Sequence, residues 1–396
     1  MTGAGDILFR PLTLPCGAVL KNRLVKSAMS DSLGDGRGDP GPGQTALYAR
    51  WATGGVAAAI VGEVQGDPST AEKPGNLVLS ARSNTAALRA LTAAGTAQDT
   101  HLWAQLGHAG AMAHPPISRP RGPSALDLPG LTCAEMTVAE IEALPATLAA
   151  TAIRARDAGF TGVQIHAAHG FLLSQFLSPL FNRRTDAWGG SLDNRMRLLR
   201  AVIAAVRAAV GPAFPVALKL NATDQLDGGF AEAEALDVIA ALDGAGLDLI
   251  DISGGTYFPG AASASDRVSS GPYFLDFARR ARARTTVPLM LNGGVKTRAD
   301  AIAALETGAV DVVGLARALI LAPDLPETWR RDGRDAAFPR FTAPPEGGIT
   351  AWYTMEMTAL AEGRPGVSPD DLPAAVTAYA ARDRAREALW RIRFGG

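Results

Sequence analysis

Short apolar segments alternate with longer stretches of helical periodicity along most of the chain. Several segments are near-continuous runs of Val, Ile and Leu, a pattern typical of parallel strands covered on both faces. The eight segments are Arg23–Met29, Val56–Val64, His101–Leu106, Gly162–Ala167, Val216–Leu220, Leu247–Ser253, Val287–Asn292 and Val310–Ala316. Two of the intervening helices have capping-box spacing, Thr137 with Glu140 and Thr297 with Asp300.

This alternation predicts an α/β fold in which strand–helix units close into a (β/α)8 TIM barrel. A doubly wound open sheet is the alternative, because it alternates strands and helices in the same way. We assign residues 1–323 to the barrel and residues 324–396 to a C-terminal helical extension packed on the barrel wall. The alternative is that this extension forms a contact between subunits.

Two connections are long for a compact domain, Gly107–Met136 after the third strand and Gly170–Leu192 after the fourth. Both leave the carboxyl ends of their strands, so both are expected to overhang the mouth of the barrel. Loops of this length are usually lids or binding loops. The charged residues within Asn182–Arg195 are interpreted as braces of the second loop rather than as chemical groups.

Composition narrows the class of protein. The 396 residues are 47% hydrophobic and 19% charged, with a formal net charge of −1, which suits a large core and gives no electrostatic footprint for nucleic acid or membrane. Cys16 and Cys133 are too few for a disulfide framework or a four-cysteine iron–sulfur cluster. With no signal peptide or membrane span evident, we expect a cytoplasmic protein that acts on a small molecule and possible homo-oligomers.

Polar residues follow the apolar strands at their carboxyl ends, where barrel enzymes place their chemistry. The last two strands indicate a phosphate site. Asn292, Gly293 and Gly294 follow the seventh strand, and Ala316 and Arg317 end the eighth. Glycines let backbone N–H groups approach a phosphate, and an arginine adds a charged contact. The alternative is that these glycines only make tight turns.

A pair of histidines and a lysine end the fourth and fifth strands. His166 and His169 could ligate a metal, although no third ligand is evident and no metal is predicted; they could also bind a substrate oxygen or be structural. Lys219 lies on an apolar run, where a buried cation needs an anionic partner. A bound cofactor would supply that partner; otherwise Lys219 is a surface lysine that snorkels to water.

Five segments together resemble the Old Yellow Enzyme family of FMN-dependent ene reductases. The most specific is GFTGVQIHAAHGFLLSQFLSPLFNRRTDAWGGSLDNR, which spans Gly159–Arg195. The supporting segments are Leu20–Met29, Gln105–Gly110, Ser253–Tyr257 and Asn292–Leu319. The resemblance extends over about Ile7–Leu321 and supports the barrel fold.

The resemblance implies that FMN lies across the barrel mouth and takes hydride from NADH or NADPH. His166 and His169 would bind the oxygen of an electron-withdrawing group, which stabilises the charge formed as hydride reaches the β-carbon. Residues implied to contact FMN are Ala28, Met29, Ser30, Gln105, His166, Lys219, Asn292, Gly293, Gly294, Ala316 and Arg317.

Three positions depart from the family pattern. Lys219 stands where the family usually has an arginine, and Ala111 replaces the arginine of a His-Ala-Gly-Arg motif. Phe171 replaces the tyrosine that donates a proton to the substrate, and Tyr257 is a candidate substitute donor. The register around Gly62–Val64 is ambiguous, so no flavin contact is assigned there.

The function that these features favour is transfer of hydride from NAD(P)H through FMN to the C=C bond of an enone-type alkene. Loss of the tyrosine also keeps open a flavin oxidase, desaturase or isomerase. A flavin-free lyase that uses Lys219 as a Schiff-base amine and a silent flavin-binding protein are the remaining alternatives.

Overall fold

The structure, a computed structural model, describes residues 6–258 and 271–395. Eight parallel strands form its central sheet: β1 Leu24–Ser30, β2 Ala58–Gln65, β3 His101–Gly107, β4 Gly162–Ala167, β5 Val216–Asn221, β6 Leu249–Ser253, β7 Leu289–Leu291 and β8 Val312–Leu315. Each strand pairs with the next, and β8 pairs with β1. The sheet is therefore closed, which confirms the (β/α)8 barrel and rejects the open sheet.

Helices cover the outside of the barrel and continue beyond it. They are α1 Pro42–Thr53, α2 Thr85–Gly95, α3 Val138–Asp157, α4 Leu172–Leu177, α5 Leu192–Arg195, α6 Arg197–Val210, α7 Glu232–Ala241, α8 Leu275–Arg282, α9 Arg298–Glu306, α10 Arg317–Leu321, α11 Leu325–Arg331, α12 Gly348–Glu362 and α13 Leu372–Phe394. Both predicted capping boxes are present, at the starts of α3 and α9. None of the helices among the described residues is long and apolar enough to cross a membrane.

Smaller elements decorate the barrel. Single 3-10 turns lie at Ile7–Phe9, Pro68–Thr70, Ala97–Asp99 and Gly110–Met112, and short strands at Leu12–Thr13, Val19–Leu20, Leu77–Val78, Arg121–Gly122, Leu126–Leu128 and Leu131–Glu135. The last three strands form a small sheet within the long connection after β3. That connection is therefore an ordered cover over the mouth rather than an irregular loop.

The strands are buried on both faces, as their composition predicts. Val163 and Ile165 of β4 and Leu218 of β5 are fully buried among the helices and neighbouring strands. Gln164 and Asp251 are equally buried although they are polar. Buried polar groups must be hydrogen-bonded to be tolerated, so these two side chains mark a polar network inside the barrel.

The connection after β4 begins with a helix that the sequence analysis treated as loop. All six residues of α4 are buried. Their packing stabilises a helix that would be too short to form alone. Beyond it, the Arg184 side chain is 6% exposed and donates to Pro123 O at 2.9 Å and Met136 O at 2.8 Å, and it also pairs with Asp186. Arg184 thus ties the second mouth loop to the first, in agreement with the bracing role predicted for this segment.

The C-terminal helices reach the barrel mouth as well as its wall. Trp352 of α12 and Trp390 of α13 are buried. On the mouth side, Glu387 of α13 accepts from His114 of the first mouth loop, with 2.7 Å between its Oε1 and His114 Nε2. The extension predicted to pack on the wall therefore also covers the mouth, while the boundary between residues 323 and 324 stays a prediction.

Arg184 tests the bracing of the mouth loops. Replacing Arg184 by Met should lower the free energy of unfolding by about 3 kcal/mol, because it removes charged donors from two carbonyl groups in a buried setting. Urea denaturation followed by circular dichroism measures the change. Arg331→Met is the matched control, since the Arg331–Asp332 pair is exposed and should contribute less than about 0.5 kcal/mol. Equal losses in the two variants would contradict the bracing role.

Candidate active site

A cavity of about 760 Å³ opens at the carboxyl ends of the barrel strands. Its volume lies within the range of pockets that enclose cofactors and drug-sized ligands. Ten residues predicted for the site line it: Ala28, Met29, Ser30, Gln105, His166, His169, Phe171, Tyr257, Ala316 and Arg317. Lys219, Asn292, Gly293 and Gly294 are not among its lining residues.

The two histidines face each other at the end of β4. His166 Nε2 and His169 Nδ1 are hydrogen-bonded to each other at 3.2 Å, so a ligand oxygen that approaches both nitrogens must come from the cavity side and replace this bond. His169 has a positive φ of 62°, and its backbone N–H donates to Asn221 Oδ1 at 3.1 Å. This turn directs the His169 ring back toward His166, which a continued strand would not do.

The outer nitrogens of the pair also have partners. Glu63 Oε1 lies in ion-pair contact with His166 Nδ1, and both side chains are 2% exposed. On the other side, His169 Nε2 is 2.7 Å from Ser253 Oγ. Burial, and to a lesser extent the positive charge of Lys219, hold the pKa of His169 well below its usual range. His169 is therefore neutral near pH 7.

Sequence reasoning left Glu63 unassigned. A signal was present, because an acidic residue interrupts the apolar run Val56–Val64, and an unpaired buried carboxylate is costly. The partner of Glu63 lies about a hundred positions away in the chain, so the sequence did not identify it.

Aromatic rings cover the histidine pair. The Phe171 ring centre is 4.9 Å from that of His166, and Phe171 is 3% exposed. The Tyr257 ring centre is 5.6 Å from that of His169, and Tyr257 is 59% exposed. Tyr257 N donates to His169 O at 3.1 Å, which holds the tyrosine beside the pair.

A buried polar network lies below the cavity. Lys219 Nζ and Gln164 Nε2 both donate to Asp251 Oδ2 at 2.9 Å, and Gln105 Nε2 donates to Gln164 Oε1 at 2.7 Å. Asn292 Nδ2 donates to the other oxygen of Asp251. The anionic partner of Lys219 is therefore Asp251 and not only a bound cofactor, and Lys219, 3% exposed, is not a snorkelling surface lysine.

The predicted phosphate glycines lie beside the cavity. Tyr273 N donates to Gly293 O at 3.2 Å, and a Cβ on Gly294 would collide with the carbonyl oxygen of Gly271. Ala316 and Arg317 do reach the cavity. Of the two segments predicted to bind phosphate, the one that ends β8 therefore lines the cavity, whereas the one after β7 does not. The role of Gly293 and Gly294 in phosphate binding stays a prediction.

The end of β1 is held from outside the barrel. Asp31, next to Ser30, accepts from Tyr48 Oη at 2.8 Å and from Gln44 Nε2 at 3.1 Å, both of them on α1. Fully buried Lys26 donates to Tyr48 Oη at 3.0 Å. These contacts fix the backbone that carries Met29 and Ser30 into the cavity.

The C-terminal helices form the outer wall of the cavity. Tyr353 of α12 lies under the Arg317 guanidinium, whose carbon is 5.1 Å from the ring centre. Tyr379 of α13 faces Lys73, whose Nζ is 5.4 Å from the ring centre. The sequence analysis placed no site residue beyond Arg317, because helical periodicity alone does not reveal which face of an extension meets the mouth.

The residues present fit FMN. Small or flexible apolar side chains, Ala28, Met29 and Ala316, share the cavity with the Gln105 amide and the Arg317 guanidinium. A flat ring system needs such an apolar surface with few polar contacts, and Arg317 suits a phosphate. A Cβ at Gly62 would lie 2.7 Å from Gln105 Oε1, so a side chain there would displace the Gln105 amide.

Comparisons with known proteins find similar sequences and structures among flavin oxidoreductases and related reductases. Residues 7–335 match the model of the NADH:flavin oxidoreductase / NADH oxidase family. The NADH-dependent flavin oxidoreductases iliE of Neonectria sp. and of Hypocrea jecorina are 35% and 33% identical over 81% and 80% of this chain. The aligned region covers 46% of the former and 87% of the latter. Morphinone reductase in complex with tetrahydroNAD has a TM-score of 0.72 at 27% identity, covering 84% of this chain and 92% of that one.

The buried pair of Lys219 and Asp251 is testable without the cofactor. In the FMN-free protein, Lys219→Met should lower the free energy of unfolding by about 3–5 kcal/mol, because it leaves the Asp251 carboxylate buried without a counter-charge. Adding Asp251→Asn should recover at least half of the loss, since the amide still accepts from Gln164. Urea denaturation of the parent, the two single variants and the double variant gives the coupling free energy between Lys219 and Asp251. Additive losses would show that the two charges do not support each other.

Proposed function

Because the chain belongs to the NADH:flavin oxidoreductase / NADH oxidase family, we propose that it reduces the C=C bond of an activated, enone-type alkene. FMN is the cofactor and NADH or NADPH the electron donor, as the sequence predicts. FMN, when bound, takes hydride from the nicotinamide and supplies it to the acceptor. The acceptor is the part proposed here.

The observation that carries the proposal is the histidine pair. His166 Nε2 and His169 Nδ1 face the same cavity 3.2 Å apart. A carbonyl oxygen that approached both nitrogens from the cavity, in place of the hydrogen bond between the rings, would be polarised, and the negative charge that grows on it during hydride addition would be stabilised. Ala28, Met29, Ser30, Gln105, Ala316 and Arg317 would hold FMN, with the network of Lys219, Asp251 and Asn292 beneath it.

Phe171 shapes the proton supply. Its ring packs beside that of His166 and has no hydroxyl group, so the proton for the α-carbon needs another source. Tyr257, beside His169, is the donor to carbon that the sequence predicts, and solvent is the other source of that proton. This departure also keeps an oxidase, a desaturase or an isomerase as the second candidate function on the same fold.

A lyase that uses Lys219 as a Schiff-base amine is rejected, because the family binds FMN and Lys219 is paired with Asp251 below the cavity. We further propose a cytoplasmic location, which agrees with the two free thiols of Cys16 and Cys133. The substrate is a small molecule that enters the cavity, and homo-oligomers remain a prediction.

The histidine pair tests the function. With NAD(P)H and 2-cyclohexenone under anaerobic conditions, the enzyme should form the saturated ketone. Replacing His166 and His169 together by Ala should slow the alkene half-reaction by about 10²–10³-fold, because oxyanion donors are lost, and should abolish phenol binding. Stopped-flow absorbance measures both half-reactions, and flavin reduction should persist.

His101→Ala is the matched control, since His101 begins β3 at the opposite end of the barrel. It should bind phenols and reduce the enone as the parent does. Consumption of NAD(P)H with oxygen, but with no saturated ketone in the anaerobic assay, would show that the enzyme is an oxidase and not an alkene reductase.

Phe171 gives an independent test of the proton supply. Phe171→Tyr restores a hydroxyl beside the substrate, so reduction of weakly activated enones should become faster, by up to the roughly 10²–10⁴-fold that general acids provide. Reduction of the flavin by NAD(P)H should stay unchanged. Phe171→Leu controls for altered packing. A folded Tyr variant with no gain in the alkene half-reaction would mean that another donor already serves.

A further inference from the structure

Four side chains form a chain of contacts across the histidine pair. In order they are Glu63, His166, His169 and Ser253. Glu63 and His166 are almost fully buried, and neither the family resemblance nor the proposed function gives Glu63 a role. A carboxylate kept away from water beside an imidazole needs a chemical explanation, because burial without a partner is costly.

The positions of the hydrogens follow from these contacts. The Glu63 carboxylate lies in ion-pair contact with His166 Nδ1 without hydrogen-bond geometry, and its negative charge favours the tautomer with a hydrogen on that nitrogen. Neutral His166 then has a bare Nε2, which accepts the Nδ1 hydrogen of neutral His169 when no ligand is between the rings and the cavity. For both rings to donate to one ligand oxygen, His166 must carry an additional proton at Nε2, and Glu63 is the counter-charge for it.

We propose that Glu63 is a positioning residue that lets His166 carry this additional proton at Nε2, and that His166 transfers it to the substrate's carbonyl oxygen. The proposal rests on the reduction of enones proposed above. A carboxylate that orients an imidazole and stabilises its protonated form acts in the same way in hydrolytic triads. It gives the site a proton source that does not depend on the missing tyrosine.

The step balances as follows. The β-carbon of the enone gains hydride, the C=C electron pair moves to form a new C=C bond with the carbonyl carbon, and the C=O pair moves onto oxygen. That oxygen takes the proton from His166 Nε2, so the product is an enol and His166 is neutral. Solvent returns one proton to His166, and the released enol becomes the ketone in water by losing its O–H proton and gaining one at the α-carbon.

Other charged groups face the pair, and the test must separate them. Glu72, from the connection after β2, lies in the same cavity, and burial raises the pKa of its carboxyl group. Lys219 of β5 adds positive charge near His169. Among the described residues, Glu63 is the carboxylate in ion-pair contact with His166. Glu72→Gln therefore removes a carboxylate from the cavity without removing the partner of His166.

The first experiment is a phenol titration of the FMN-loaded protein, in which phenolate bound over the flavin gives a long-wavelength absorbance band. A phenol with a solution pKa of about 10 should give the band at pH 7 in the parent, because protonated His166 stabilises the bound phenolate. Glu63→Gln should weaken phenol binding at pH 7 at least tenfold. Its absorbance band should appear only as the pH approaches the pKa of the free phenol. Glu63→Asp and Glu72→Gln should resemble the parent. A Glu63→Gln band with the pH dependence of the parent overturns the role of Glu63.

The second experiment follows the α-carbon. Reduction of 2-methyl-2-cyclohexenone should give nearly equal amounts of the two product enantiomers, since the enol gains its carbon-bound proton in water. Chiral chromatography measures the ratio, and incubation of one pure enantiomer with the enzyme controls for racemisation. A single enantiomer would place the donor at carbon, as Tyr257 would, and overturn transfer to oxygen. Failure to reduce any enone overturns the proposed function and the transfer step, whereas the phenol titration still decides the role of Glu63.

Discussion

The Asp251 carboxylate, fully buried inside the barrel, is the group on which the floor of the site depends. Removing a carboxylate from water costs several kcal/mol unless donors surround it, and here Lys219, Gln164 and Asn292 supply them. Those donors lie on β4, on β5 and directly after β7, with Asp251 on β6, so one charge fixes four neighbouring strands at the depth where the cavity begins. Gln105 joins the network through Gln164 and reaches the cavity from β3.

The upper part of the site has a different origin. It is assembled from long connections and from the C-terminal helices, which are braced by Arg184 and by the contact of His114 with Glu387. The pair of His114 and Glu387 is partly exposed, so it stabilises less than the buried network below, whereas the Arg184 side chain is almost fully buried. The division suits an enzyme whose floor must keep a cofactor in place while its roof admits two reactants in turn.

The sequence predicted the barrel well because its strands are continuous apolar runs, and the predicted bounds differ from the observed ones by no more than two residues at either end. It also predicted most lining residues, because polar side chains at strand ends point to the mouth. Asp251, Glu63 and the wall residues Tyr353 and Tyr379 were missed. Each depends on a contact between distant segments, and a single sequence carries no record of such pairings. Asp251 and Glu63 did leave a trace, an acid within an apolar strand, that the cost of burial makes meaningful.

The two buried acids, Asp251 and Glu63, lie at different parts of the site. Asp251 neutralises Lys219 below the cavity, which limits how much positive charge reaches a ring lying above. Glu63 places negative charge behind His166, where it favours a proton on the side that faces the substrate oxygen. Because Phe171 replaces the tyrosine that donates a proton in the family, the negative charge that develops on that oxygen is stabilised by the histidine pair. The distribution of charge in the site therefore directs the proton toward oxygen and leaves the carbon to solvent.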